Sequence, residues 1–215
     1  MKSLFATPPE SGARLSPDKR RIALIDATLR CIIKEGHAGL SLRKVCQEAG
    51  VSAGLVTHHF AGKEELLTEA YRYLTRDIYS RINQSLEQAC DPSALNQLRL
   101  FIDVSFRRPV LDEDYLMIWL VFWGLSKQKP AIAALRNEVN NKVIKTLEKL
   151  MTEAVGELSI DDVNIRLAAT GLSALMDGLW LEWSLNPSNF SPDEAAKICQ
   201  CWVDALVANC FQRLA

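Results

Sequence analysis

Residues 50–67 read GVSAGLVTHHFAGKEELL, and this stretch constrains the fold more than any other part of the chain. Gly50 and Gly54 stand four residues apart in an otherwise helical segment, although a glycine inside a helix costs roughly 1 kcal/mol against alanine. Two adjacent histidines follow, then a glycine and a charged helix start. Upstream, Ser41 suits the N-cap of Leu42 to Ala49, and Gly50 closes that short helix. Ser52 opens a second short helix to about His59, and Lys63 begins a long one.

Two short helices around a glycine turn make a helix-turn-helix, whose second helix lies in the DNA major groove with its N-terminal residues at base edges. Each unusual residue then has a reason. Gly50 takes the turn at a positive φ that is cheap only for glycine. Val45, Val51 and Val56 pack the helices together. Gly54 faces outward, where a missing side chain lets the backbone approach a duplex, with Ser52, Ala53 and Leu55 beside it. Thr57, His58 and His59 offer donors to phosphates, as do Lys63 and the free N–H groups of its helix start. Arg43 and Lys44, at the front of the first short helix, offer further cations, and Arg14, Lys19, Arg20 and Arg21 form a basic entrance to the segment. For these charges, phosphate contact and a plain solvated face both remain open.

The rest of the chain is punctuated as helix after helix. Ser16-Pro17-Asp18 caps a first helix whose Ile22, Ile25, Leu29, Ile32 and Ile33 recur at spacings of three and four before Gly36. Asp91-Pro92, residues 112–125 and Pro130 to Val155 supply three more. Ser159-Ile160-Asp161-Asp162 reads as the opening of a helix to about Leu185, and Ser191-Pro192-Asp193-Glu194 as a stronger capping box for the last. The expectation is an all-α chain of about nine helices with no strand. Residues 1–15 form a flexible arm, 16–62 the DNA-binding domain and 63–215 a helical ligand-binding and dimerisation domain.

Charge is uneven: residues 1–63 carry +5 and residues 64–215 carry −6, for a net −1. A basic front suits a polyanion. No apolar run approaches the ~18 residues of a membrane span, and YLMIWLVFWGL at 115–125 reads as a buried helix. With no signal-peptide core at the N-terminus, the expected location is the cytoplasm. The six cysteines contain no C-x-x-C pair and read as thiols in a reducing compartment. His58 and His59 lack further ligands at metal spacing, and adjacent residues of a helix cannot face one ion, so no metal and no cofactor are expected. No nucleophile–base pair or phosphate loop suggests an enzyme.

SLRKVCQEAGVSAGLVTHHFAGKEELL, residues 41–67, resembles the DNA-binding signature of the TetR family of transcriptional repressors. The match covers the A-G-V-S turn, Gly54, the pair before Phe60, and Lys63 with Leu66-Leu67; Cys46 replaces a usual alanine. WLVFW at 119–123 and LMDGLWL at 175–181 resemble the BetI branch, the choline-responsive repressors. The resemblance implies palindromic operator DNA bound as a homodimer through the last two helices, and release by a small effector. A helical interaction protein without DNA binding, or a regulator of another metabolite, are the alternatives.

The C-terminal residues fit in part. Leu172, Leu175, Leu179, Trp202, Leu206, Val207 and Phe211 put apolar side chains on wide arcs of the last helices, as partnered helices do. Tyr115, Trp119 and Trp123 stand one turn apart, while Asp177, Trp180 and Ser184 share a face, with Gly178 allowing close approach. Aromatic faces with a carboxylate suit a quaternary ammonium ion. Spacing alone fits core or dimer packing at least as well; the resemblance favours the ligand.

Overall fold

The computed structural model describes residues 16–158 and 163–208. The expected arm at 1–15, the Ser159–Asp162 box and Phe211 lie outside them. The described residues form helices α1 Pro17–Gly39, α2 Leu42–Ala49, α3 Ala53–His59, α4 Lys63–Glu87, α5 Ala94–Ser105, α6 Glu113–Ser126, α7 Pro130–Leu158, α8 Ile165–Leu185 and α9 Pro192–Val207. No strand occurs among them.

Two compact units divide the chain: one holds the residues up to Asp77 with Met117–Arg136, the other Ile78–Leu116 with the residues from Asn137. In the first, the Ser16 hydroxyl accepts from the Lys19 N–H at the start of α1. Leu24, Ile25, Leu29 and Ile32 fill the core, Ile33 is half-buried, but Ile22, expected in that stripe, is 41% exposed. Gly36, at φ 67° and ψ −176°, interrupts the helical backbone three residues before α1 ends. Ser41 caps α2 by accepting from Lys44 N–H, and Gly50 ends it in the left-handed region at φ 65°. α1 packs on α2 and α2 on α3, with Val45 and Val56 fully buried and Val51 half-buried between polar neighbours.

The part of α4 in this unit places Tyr71 wholly in the core, its ring stacked on Phe122 at 4.5 Å and meeting Trp119 edge-on at 5.4 Å. Such aromatic pairs contribute about 0.5–1.5 kcal/mol each beyond their buried area. Glu64 at the head of α4 pairs with Lys129 at the α6–α7 turn. A carboxyl is also sealed in: Asp26, 3% exposed, has its pKa pushed up to about 6 by burial, against the pull of Arg30 and with Asp77 reinforcing it.

In the second unit, α9 packs on α5 and α8. Its box forms as expected: Ser191 Oγ accepts from Glu194 N–H, and the Glu194 carboxylate accepts from Ser191 N–H. α8 begins later than the sequence suggested, capped by the Asn164 side chain, which accepts from Leu167 N–H at 3.2 Å. The glycine that permits close approach on α8 is Gly171, where an added Cβ would come 3.3 Å from the Trp202 ring. An added Cβ on Gly178 meets nothing within 4 Å, so no neighbour requires glycine there. Of the apolar residues read as a partner face, Leu172 and Leu206 are spent on the chain's own core, while Leu175, Leu179, Trp202 and Val207 are half-buried.

Candidate nucleic-acid interface

α3 has seven residues, too few to hold itself helical in isolation. It persists because Val56 (1% exposed) and Phe60 (2%) anchor its inner side. Its outer side is then fixed. Ser52, Gly54, Thr57 and His58 are exposed, and Leu55 and His59 are half-buried; the Ala53 side chain lies outside those described. Gly54 takes an ordinary φ, and a Cβ added to it meets nothing within 4 Å. The fold itself gives no reason to forgo a side chain there.

Ser52 precedes α3 as its N-cap residue, yet its hydroxyl makes no capping hydrogen bond. That leaves an exposed hydroxyl at the front of the helix, contrary to the expected cap. Thr57 Oγ1 donates to the Gly54 carbonyl at 3.0 Å, so in this state it faces outward as an acceptor rather than the donor expected. His58 and His59 stack edge to face at 5.1 Å. Burial, with His58, Arg20 and Arg21 adding repulsion, holds His59 below the usual imidazole pKa of 6.5.

The cations around α3 fall into two groups. Arg21 pairs with Glu69 and lies over the Phe60 ring at 5.2 Å. Arg30 and Lys34 share Glu48, and Lys44 pairs with Glu35. Lys63 donates through Nζ to the Leu40 carbonyl at 2.6 Å. By contrast Lys19, Arg20 and Arg43 make no ion pair among the described residues, and Lys19 and Arg43 are exposed. Composition shows the total charge; only the fold separates the charges that brace helices from those left to face solvent.

The aromatic residues singled out on α6 divide between the units. Trp119 (8% exposed) and half-buried Trp123 belong to the first, their rings 6.3 Å apart. Around them the structure gathers Tyr71, Phe122 and Arg136, whose guanidinium lies 6.0 Å over the Trp123 ring. No sequence signal marked Arg136. Trp119 Nε1 is sealed from solvent without an acceptor. Tyr115, Asp177, Trp180 and Ser184 belong to the second unit. There Tyr115 is buried at 4% and Asp177 half-buried, Trp180 Nε1 also lacks an acceptor, and the Ser184 hydroxyl donates to the Leu181 carbonyl at 2.7 Å. Among the described residues no three His, Cys, Asp or Glu side chains come together as a metal site, and no helix is long and apolar enough to cross a membrane.

Two short helices around a left-handed glycine, with an outward helix front flanked by unpaired cations, define a helix-turn-helix DNA-binding regulator. Comparison with known proteins narrows this. Residues 24–70 match the family model for bacterial regulatory proteins of the tetR family, and residues 94–208 that for the C-terminal part of BetI-type transcriptional repressors. The HTH-type transcriptional regulator BetI of Paraburkholderia phytofirmans is 32% identical over 206 residues, 94% of this chain and 98% of its own. Its counterpart in Burkholderia thailandensis is also 32% identical, over 93% and 98%. A solved regulator from Pseudomonas aeruginosa PAO1 superposes with a TM-score of 0.87 at 37% identity, covering 97% of this chain and all of that one. A regulator from Saccharomonospora viridis, solved with choline, shares the fold at TM-score 0.78 and 23% identity, over 87% of this chain and 96% of that one. The chain belongs to the TetR family of transcriptional regulators and is of BetI type.

Proposed function

We propose that this regulator is a repressor which binds palindromic operator DNA as a homodimer and lets go when a small cationic effector binds. The observation that carries the DNA-binding face is Gly54. A glycine in a short helix, with open space where its Cβ would be, sacrifices helix stability for nothing inside the protein. The close approach of another molecule's backbone accounts for it. Ser52, Ala53, Leu55, Thr57 and His58 surround that point, His59 completes the helix, and Lys63 begins the next.

On this reading Arg20 and Arg43 contact phosphates, since neither is spent on an internal carboxylate. Lys63 has two ammonium protons beyond the one given to Leu40. Two copies of α3 would enter successive major grooves, as two-fold dimers do on palindromes. Exposed Leu167 (37%), Leu185 (68%) and Ile198 (44%) on α8 and α9 support burial against a second copy.

The effector is choline or a related quaternary ammonium compound. Support comes from the indole faces of Trp119 and Trp123, from the BetI-type relatives and from the choline found in the Saccharomonospora regulator. Asp177, Trp180, Ser184 and Tyr115 remain proposed ligand residues of the second unit. Effector binding shifts the DNA-competent state only by its difference in affinity for the two states. A usual coupling of about 1–3 kcal/mol weakens operator binding roughly 5- to 150-fold. α4 is the proposed lever, because it is one helix with residues in both units.

A gel shift with the promoter DNA beside the protein's own gene tests this. Wild type shifts the fragment and choline reduces the shift, while Gly54→Glu stays dimeric and does not shift it. Unchanged affinity of Gly54→Glu would remove α3 as the reading helix. Binding that ignores choline, betaine aldehyde and acetylcholine would leave a regulator of some other compound.

A further inference from the structure

Two observations in the first compact unit point beyond a generic cation site. The Trp123 face is already occupied: Arg136, from α7, sets its guanidinium 6.0 Å above the ring. Arg136 makes no ion pair among the described residues, so the indole is its recorded partner. Beside it Trp119, more than nine-tenths buried, has an indole N–H with nothing to donate to. Buried N–H groups are almost always satisfied, and one left alone costs about 1–3 kcal/mol. The two rings are neighbours, 6.3 Å between centroids. One molecule of few atoms can therefore lay a cation on one indole and an acceptor against the other.

We infer that Arg136 is a built-in stand-in for the effector's cationic head, and that the effector displaces it from Trp123 while giving an oxygen acceptor to Trp119 Nε1. The inference rests on the cationic-effector reading and sharpens it: the ligand class is a small quaternary ammonium bearing an oxygen two or three bonds away. A bare tetraalkylammonium satisfies only half of the site. The competition has a physical reason. A guanidinium and an ammonium seek the same negative face of the ring quadrupole, and both cannot sit on it. Half-exposed Arg136 has solvent to move into, which keeps its displacement inexpensive. The arginine tunes the site: it lowers affinity for every cation and holds the first turns of α7 against α6 until a ligand arrives.

Isothermal calorimetry on the full chain tests this, with choline and tetramethylammonium as probes and wild type, Arg136→Gln, Arg136→Lys and Trp119→Phe as proteins. Arg136→Gln, at a half-exposed position, should bind both probes roughly 2- to 5-fold more tightly, the fold-change matching an exposed cation–π contact. Arg136→Lys retains a cation and should stay near wild type. Wild type should prefer choline over tetramethylammonium, and Trp119→Phe should reduce that preference by roughly 2- to 10-fold. Melting curves confirm that each variant is folded; if Trp119→Phe is not, the wild-type preference alone decides the acceptor. Arg136→Gln binding no more tightly than wild type overturns the stand-in. Equal affinity of wild type for the two probes overturns the acceptor. No heat from either probe with any protein overturns the cationic-effector reading itself, and the inference with it.

Discussion

Lys63 and Leu40 are joined across the reading head: the ammonium at the start of α4 donates to the carbonyl that ends α1, at 2.6 Å. The residue expected to serve DNA thus has a first duty inside the protein, tying the α1–α2 corner to α4. Lys63→Met should destabilise the fold by about 1 kcal/mol, at the low end for a charge-assisted bond because the group is only part-buried. It should also weaken operator binding. A melting temperature equal to wild type would mean that the bond to Leu40 contributes nothing.

Gly54 allows stability and binding to be separated by one methyl group. Its backbone is helical and open at Cβ, so Gly54→Ala should gain roughly 0.5–1 kcal/mol of helix stability. The same methyl should lower operator affinity. Thermal melting and a gel shift on one preparation give both readings. Gain without loss of affinity would show that α3 keeps its distance from DNA.

The reading head was legible in the sequence because its unusual residues sit where backbone geometry or exposure leaves few alternatives. Gly50 at φ 65° and exposed Gly54 are of this kind. Helical periodicity was less decisive at its margins: Ile22 keeps the α1 spacing yet is exposed, since a stripe ends where its partner ends. Gly178 and Gly171 look equivalent in sequence, and only the position of Trp202 selects the second. The partner of Trp123 was invisible, for Arg136 is thirteen residues away on another helix. Charges that brace the fold and charges that face solvent are the same letters, and carboxylates on neighbouring helices decide between them.

That sorting of charges predicts two kinds of arginine. Arg43→Gln and Arg20→Gln should weaken operator binding and reduce the slope of log affinity against log salt by about 0.9 each, as expected for one lost phosphate contact. Arg21→Gln instead breaks the Glu69 pair and the Phe60 contact, and should leave the slope unchanged while lowering stability. Salt titrations of binding, read beside melting curves, distinguish them. A slope change for Arg21→Gln equal to that for Arg43→Gln would undo the division.

Asp26 predicts how stability responds to pH. Burial raises its pKa from 3.8 to about 6, so the fold favours the protonated form. Its contribution is full below 3.8 and is lost as pH rises through 6. His37 works in the opposite sense: burial, then Lys63 and Lys129, hold its pKa below 6.5, so its share is full above that value and falls as the medium acidifies. The two slopes overlap in the wild-type profile, and Asp26→Asn separates them. The neutral isostere should melt higher than wild type at pH 7, by roughly 1–3 kcal/mol in stability, and the difference should shrink from pH 6 towards pH 4. The subtraction cancels His37, which both proteins share. A difference constant across that window would mean that Asp26 stays ionised inside the core, held by Arg30.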